Sequence, residues 1–350
     1  MNCSANPIIA EDVNRILSGD FPWSELNGAT VLISGAAGFL PAYLIETLAG
    51  LNAHGASIRI VGLVRRQEIA QARLGHLFAH GVELMTQDIT QPLRLDLPRA
   101  DYIIHAASQA SPRFYGIDPV GTLEANTTGT QQLLRHAYLS GSRSFLYFSS
   151  GEVYGAPTND SVRITETDFG YLDPATVRAC YAESKRLGET LCVSWHHQFG
   201  VPSRIVRPFH TYGPGMALND GRVFADFVAD VIAPRDIVLK SDGLALRPFC
   251  YISDATLGFF TVMLKGEQSQ AYNVANPSTE ISMRDLAQLV ANLFPERGAG
   301  VRFDLAATGN QYLRSPIMRS CPSIEKINRL GWMPTIGLAE GFKRTIDSFL

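Results

Sequence analysis

The chain predicts an α/β protein, a doubly wound parallel sheet followed by a smaller C-terminal domain. Three observations carry this. The β-like segments are short continuous apolar runs, as in strands buried on both faces. Down to about residue 207 these runs alternate with helical patterns, which is how parallel sheets are wound. The first run of the series enters a glycine-bearing turn, Ser34-Gly35-Ala36-Ala37-Gly38-Phe39-Leu40-Pro41, that opens a helix. Beyond residue 207 the pattern changes to short elements separated by Gly and Pro.

Taken in order, residues 1–27 read as an N-terminal helical extension, with Ile9, Val13, Ile16 and Leu17 at helical spacing and Gly19 as a stop. Residues 30–33 are a buried strand, and the turn after it leads into a helix over 42–49. Glycines at such a turn permit positive φ and let backbone N–H groups approach a pyrophosphate at the positive helix end. Gly35, Gly38, Phe39 and Leu40 are therefore candidate cofactor contacts in a dinucleotide-binding (Rossmann) arrangement spanning 28–207. Pro41 stands where a third glycine usually allows close helix packing, a position tolerable for proline only in a first turn.

The strand over 57–64 ends in Arg65-Arg66 and not in the carboxylate that would hold a ribose 2′-hydroxyl. Arg65 can accommodate a 2′-phosphate, so these residues argue locally for NADP. Strands over 82–85 and 102–105 deliver Asp88-Ile89 and Ala106-Ala107-Ser108 to the same crevice. Asp118-Pro119 starts a helix that carries Asn126 and runs to about residue 139. Asn126 is either a packed amide or a residue that orders the active site. A strand over 144–148 leads into Ser149-Ser150-Gly151-Glu152, hydroxyls and a carboxylate at a strand's carboxyl end, and a sixth strand covers 204–207. Residues 208–350 read as mainly a substrate-binding domain, with helices over 223–232 and 282–293, the second capped by Ser282 and striped by Leu286, Leu289, Val290 and Leu293.

The composition excludes several partners. Thirty basic residues stand against 33 acidic ones, for a net charge of -3, without long like-charge runs, so neither nucleic acid nor a membrane surface has electrostatic support. No basic segment followed by an apolar core marks the amino terminus, and the apolar run 249–264 is broken by Asp254, which points to the cytoplasm. Cys3, Cys180, Cys192, Cys250 and Cys321 are scattered, without metal spacing, and read as reduced packed thiols.

The chemistry centres on Tyr181-Ala182-Glu183-Ser184-Lys185. On a helix the phenol and the ammonium share a face. A neighbouring positive charge lowers a phenol's pKa, which would let Tyr181 take a proton from a sugar hydroxyl. Standing alone, the spacing equally fits a packed tyrosine and a solvated lysine.

With Gly35-x-x-Gly38, Ser150, Tyr181 and Lys185 in this order, the chain resembles the extended short-chain dehydrogenase/reductases that modify nucleotide sugars, the NAD-dependent epimerase/dehydratase family. Within them it is most similar to UDP-glucuronate decarboxylases, through Ala110-Ser111-Pro112, Asn126-Thr127-Thr128-Gly129-Thr130, Arg178-Ala179-Cys180-Tyr181, Asn219-Asp220-Gly221-Arg222-Val223 and Arg247-Pro248-Phe249. The resemblance implies an enzyme that oxidises the sugar C4 hydroxyl with bound NAD. Tyr181 would remove the proton, Ser150 hydrogen-bond the oxygen and Lys185 bind the nicotinamide ribose. Glu152 and Arg247 would act in the following decarboxylation of a nucleotide hexuronate, and Ser111, Arg222 and Arg247 would contact the substrate. It also implies a homodimer. Departures are Gly151, where 4,6-dehydratases carry an aspartate, His210 in place of an asparagine, and Gly215 in place of an arginine. A 4,6-dehydratase or 4-epimerase is the alternative reaction, and a non-catalytic NAD(P)-binding regulator the alternative class.

Overall fold

The computed structural model describes residues 4–156, 163–304 and 317–350. Seven parallel strands form the central sheet: β1 (Thr30–Ser34), β2 (Arg59–Val64), β3 (Val82–Thr86), β4 (Tyr102–His105), β5 (Ser144–Phe148), β6 (Ser203–Pro208) and β7 (Ala271–Val274). Their spatial order is β7-β6-β5-β4-β1-β2-β3. The order reverses between β1 and β4, where Ser34 pairs with His105, and the crevice beyond those strand ends is the ligand position of open α/β sheets.

Because the sheet is covered on both faces, alternate residues of one strand feed different cores. Val31, Ile33, Ile60, Ile104, Leu146 and Val206 pack with the helices α2 (Phe39–Ala53) and, further along the chain, Ile252–Lys265. Leu32, Val61, Ile103, Phe145 and Ile205 face Leu133, Leu134 and Cys192 on the other side. A third core, built on Phe224, Phe227, Val228, Leu286, Val290, Phe342 and Ile346, lies in the C-terminal region.

The helices follow their predicted apolar spacing with instructive exceptions. The first, α1 (Pro7–Leu17), is capped by Asn6 and packs on α2 and on Ile252–Lys265. Helix α2 begins at Phe39, three residues earlier than the apolar pattern indicates, so Pro41 falls in its first turn, where a missing N–H costs nothing. After α3 (Gln67–Leu74) and the short α4 (Pro112–Tyr115), the single helix expected from Asp118 to about 139 is two: α5 (Pro119–Asn126) and α6 (Thr128–Ser140). Thr127, at φ -113° and ψ -72°, is the turn residue between them, and the Asn126 amide reaches Ser184 in the interior. The tyrosine-bearing helix α7 runs over Ala179–Phe199, α6 and α7 cover one face of the sheet, and α5 packs on both of them.

Beyond β6 come α8 (Val223–Ile232), α9 (Ile252–Lys265), α10 (Met283–Asn292), α11 (Glu325–Asn328) and α12 (Leu338–Asp347). Ser282 caps α10 by accepting from Asp285 N. The 208–350 region is not a separate layer throughout. Its α9 covers the sheet beside α2, and β7 extends the sheet beside β6. The run Ala271-Tyr272-Asn273-Val274 is too short and too polar in its middle to announce a buried strand; only pairing with β6 makes it one. Among the described residues no helix is long and apolar enough to cross a membrane. Cys180, Cys192, Cys250 and Cys321 are buried and unpaired, while Cys3 lies outside the described residues.

Candidate active site

Gly35 adopts φ +69°, and a Cβ placed on it would lie 2.7 Å from the Ala107 backbone. Only glycine lets the turn after β1 meet the turn after β4 this closely. The Gly35 and Ala36 N–H groups bond Leu63 O, which ties the same turn to the end of β2. Gly38 caps α2 without a side-chain bond, so the first-turn N–H groups of Phe39 and Leu40 are left for an anion. Ser108 Oγ, near the end of β4, and Asn126 Oδ1 are buried polar atoms without a partner in the fold. This cradle of free N–H groups and buried polar atoms fits a dinucleotide.

Arg65 is exposed just past β2. Hydrogen bonds from Gln109 and Gly121, with the Arg65 charge as a smaller contribution, hold the Asp118 carboxyl below its ordinary range. Asp88 accepts from Thr90 N and Oγ1, both at 2.9 Å, and so closes its own turn, while Ile89 packs on Gly129. The His105 ring bridges Ser34 and Thr130 and is held neutral, down at about 3, first by burial and then by the Lys185 charge.

Tyr181 and Lys185 lie one turn apart on α7, both buried. The phenol lies near Ser150, at the carboxyl end of β5, and the Ser150 hydroxyl accepts from Glu152 N and favours the phenolate. The expectation that Lys185 lowers the Tyr181 pKa is not met. Burial is the largest influence and pushes the phenol up to about 12, against the Ser150 hydroxyl and the charge of Arg222. The lysine instead donates from Nζ to Phe148 O at 2.6 Å and lies 5.8 Å from the centre of the Tyr181 ring. Burial brings Lys185 itself down to about 7. Ser184, between the two, accepts from Asn126 Nδ2 at 2.9 Å, so Asn126 is a packed amide that ties α5 to the tyrosine helix.

Glu152 sits in the 3-10 turn Gly151–Tyr154 that follows Ser150. Burial raises its pKa, opposed by Arg178, Arg222 and Arg247 in that order. The Arg178 guanidinium is 3.8 Å from the carboxylate. Arg222 is held by Asp220 at 3.2 Å. Ser111 Oγ donates to Asp220 O, which joins the 110–112 and 219–222 segments across 109 residues of sequence. Arg247 is anchored on the carbonyls of Leu246, Ile317 and Met318 with its charge reaching Glu152 and His210. The fold therefore assembles Ser150, Glu152, Tyr181, Lys185, Arg222 and Arg247 around one cleft.

Three participants escaped sequence reasoning. Tyr115 stacks on Tyr181 with ring centres 5.1 Å apart and is anchored on Ala110 O. Arg178 carried a motif match but no signal of pairing with Glu152, 26 residues away. Phe209 explains Gly151, because a Cβ at 151 would meet the Phe209 ring at 2.8–2.9 Å. His210, beside it, is held neutral at about 3 by burial, then by Arg247 and Arg222. The Cys180 thiol beside Tyr181 is pushed up by burial, the opposite of an activated nucleophile.

Comparison with known proteins matches the same architecture. The chain is 34% identical to UDP-glucuronic acid decarboxylase 1 of Arabidopsis thaliana over 91% of its length and 69% of that protein's. It is 33% identical to UDP-glucuronic acid decarboxylase 1 of Xenopus tropicalis over 93% of its length and 73% of that protein's. Among solved structures, an epimerase from Methanothermobacter thermautotrophicus superposes with a TM-score of 0.79 at 23% identity, covering 94% of this chain and 96% of that one. UDP-glucuronic acid 4-epimerase from Bacillus cereus, in complex with UDP-glucuronic acid and NAD, gives 0.75 at 21% identity, covering 91% and 98%. The model of the NAD dependent epimerase/dehydratase family matches residues 31–275, the span from β1 to β7 that carries the glycine turn and the tyrosine helix, and the chain belongs to that family.

Proposed function

We propose that the protein oxidises the C4 hydroxyl of a nucleotide hexuronate, with UDP-glucuronate as substrate, and decarboxylates the product. The observation that carries this reading is Glu152, its pKa raised by burial, standing beside Tyr181 among Arg178, Arg222 and Arg247. The likeness to UDP-glucuronic acid decarboxylases over more than nine-tenths of the chain supports it.

NAD, when bound, supplies the hydride acceptor. Tyr181 receives the C4 hydroxyl proton while Ser150 holds the oxygen. With its pKa at about 12 the phenol is neutral at rest and must first release its own proton to solvent, and a protonated Lys185 turned towards it favours the phenolate that then accepts the C4 proton. Oxidation at C4 places the sugar carboxylate β to a ketone. Carbon dioxide then leaves because the ketone accepts the electron pair of the broken bond, Glu152 gives a proton to C5, and return of the hydride to C4 together with the Tyr181 proton would complete the pentose and restore the cofactor. Arg222 and Arg247 hold the anionic substrate, Arg222 suiting phosphate through its planar fork. The Phe209 ring on Gly151 leaves no room for an acidic side chain there, which disfavours 4,6-dehydration.

NAD is the cofactor we assign. Arg65-Arg66, in place of an acidic residue, is the feature that would favour a 2′-phosphate, and mass spectrometry of the cofactor released from purified protein decides between NAD and NADP. We also assign a homodimer, paired through the exposed apolar faces of Val120 and Leu123 on α5 and Leu187 on α7. The buried unpaired thiols are in keeping with a reducing compartment, the cytoplasm, which cell fractionation tests.

The decisive assay incubates purified protein with NAD and UDP-glucuronate and reads the nucleotide sugar by mass spectrometry. A UDP-pentose with released carbon dioxide is expected. Recovery of a C4-inverted hexuronate, or turnover only of a nucleotide hexose to its 4-keto-6-deoxy form, overturns the reading.

A further inference from the structure

Behind the cleft lies a buried polar ring that the mechanism above does not use. Glu189 follows Lys185 by four residues on α7, which puts both on one helix face. Its carboxylate is gripped in bidentate fashion by Arg207 of β6, Nε to Oε1 at 2.8 Å and Nη2 to Oε2 at 2.6 Å, and also accepts from Ser149 Oγ. Arg207 Nη1 donates to Tyr154 OH and to Glu166 O, both at 2.8 Å, and Tyr154 OH donates to Asn273 Oδ1 at 2.6 Å. The side chains of Arg207 and Glu189 are only 3% and 12% exposed, so this is an interior ion pair.

The ring touches the elements that carry Ser150, Glu152, Tyr181 and Lys185. Ser149 precedes Ser150, Tyr154 ends the turn that bears Glu152, and Glu189 shares the helix of Tyr181 and Lys185. Its members are buried or nearly so. We propose that Glu189, clamped by Arg207 and Ser149, is the positioning residue for Lys185: it supplies the counter-charge that keeps the buried ammonium protonated and, through Ser149, fixes the strand end that presents Ser150.

The surroundings of Lys185 leave little else for this role. From β4 it faces His105, held neutral; from β5, the Tyr147 ring at 5.0 Å and the Phe148 carbonyl; from α7, Tyr181, Glu189 and Cys192. Tyr147 and Cys192 are pushed up by burial and stay neutral. Glu189 is the leading influence opposing the burial of Lys185, and with Arg207 of β6 it makes up the fixed charge on that side.

The proposal rests on the reading of Lys185 as a cofactor and proton-transfer residue, so the test uses two signals. The first is NAD affinity across pH by calorimetry, without sugar; the second is nicotinamide reduction on adding UDP-glucuronate. In Glu189→Gln the alkaline loss of both signals is expected to move down by about one pH unit or more, a tenfold change in the acidity of Lys185. Glu189→Asp, which keeps the charge, should hold the wild-type profile. Because Glu189→Gln strands Arg207, the double variant Glu189→Gln/Arg207→Gln removes both charges and should show the same direction with a smaller shift. An unshifted profile in a folded neutral variant overturns the proposal. So does a Glu189→Asp protein that folds but is as inactive as the neutral variants, which would make the pair a scaffold bond only. Wild-type protein that shows the pH-dependent NAD affinity but no nicotinamide reduction would instead count against the sugar reading and leave the role of Glu189 standing.

Discussion

At the scale of single residues, the site is governed by burial acting against a few placed charges. Tyr181 is the proton acceptor of the proposed reaction, so Tyr181→Phe is expected to lower turnover by about 10²- to 10⁴-fold, the usual worth of a general acid or base, while calorimetry shows NAD still bound. Glu152 acts after oxidation. Under the proposed mechanism Glu152→Gln should therefore still reduce the nicotinamide and release carbon dioxide but fail to protonate C5, and reduced cofactor accumulating in absorbance without a pentose product would report the block. Lys185 gives a pH prediction with a definite sign. Its folded pKa of about 7 lies below the ordinary lysine value of 10.5, so only its protonated form matches the proposed role and kcat/KM should fall as pH rises through about 7. The same depression means that the unfolded chain binds the extra proton between about 7 and 10.5, so this group's contribution makes stability rise with pH across that window. Lys185→Met should flatten both dependences, read by kinetics and by denaturant melts at a series of pH values. Gly151 is set by space: Gly151→Asp would drive the side chain into Phe209, whose ring is packed with Tyr154, and is expected to cost about 1–3 kcal/mol, as overpacking does. A gain of dehydratase activity in that variant would show the ring to be movable.

At the scale of elements, the tyrosine helix joins a local pattern to distant partners. Its Tyr-x-x-x-Lys face could be recognised from consecutive residues, since helical spacing alone brings positions 181 and 185 together. What the pair does there could not, because Phe148, Ser150 and Glu152 come from β5 and the turn after it. The break at Thr127 is of the same kind. Apolar spacing continues through it, and the Asn126 bond to Ser184 beside it joins residues far apart in the chain. The outer faces of α5 and α7 yield the association prediction. Leu187 is 48% exposed on α7, so Leu187→Glu should convert a dimer to monomers in sedimentation while leaving the fold intact. A monomeric mass for the wild-type protein would remove the assigned dimer.

At the scale of the molecule, the N-terminal segment is a staple and not an appendage. Asp12 of α1 is fully buried and accepts from Tyr43 of α2 at 3.1 Å, from Tyr251 at 2.8 Å and from Arg344 of α12 at 2.8 Å. It thereby joins the start of the chain to its last helix and to both halves of the fold. Asp12→Ala leaves the Tyr43 and Tyr251 hydroxyls without this acceptor and Arg344 with only Glu11, Ile8 O and Tyr251, and is expected to cost about 3 kcal/mol, measured by denaturant unfolding, with the NAD affinity of the folded protein unchanged. The segment's helix was readable from Ile9, Val13 and Ile16; its buried carboxylate was not, because Arg344 lies 332 residues away.

The sequence by itself determined whatever is decided by neighbours along the chain. This covers the first six strands, the glycine turn and the helix it opens, the cap at Ser282, the tyrosine–lysine face and the family motifs. These depend on φ preferences, apolar spacing and capping, all of which act over a few residues. The tertiary structure decided what depends on burial and on charges brought from afar. Ala271–Val274 became a strand because β6 offered an edge. Gly151 acquired its reason from Phe209. Glu152 gained three arginines from three separate segments. The Tyr181 phenol was pushed up and not down because dense packing penalises its anion more than any charge in the fold favours it.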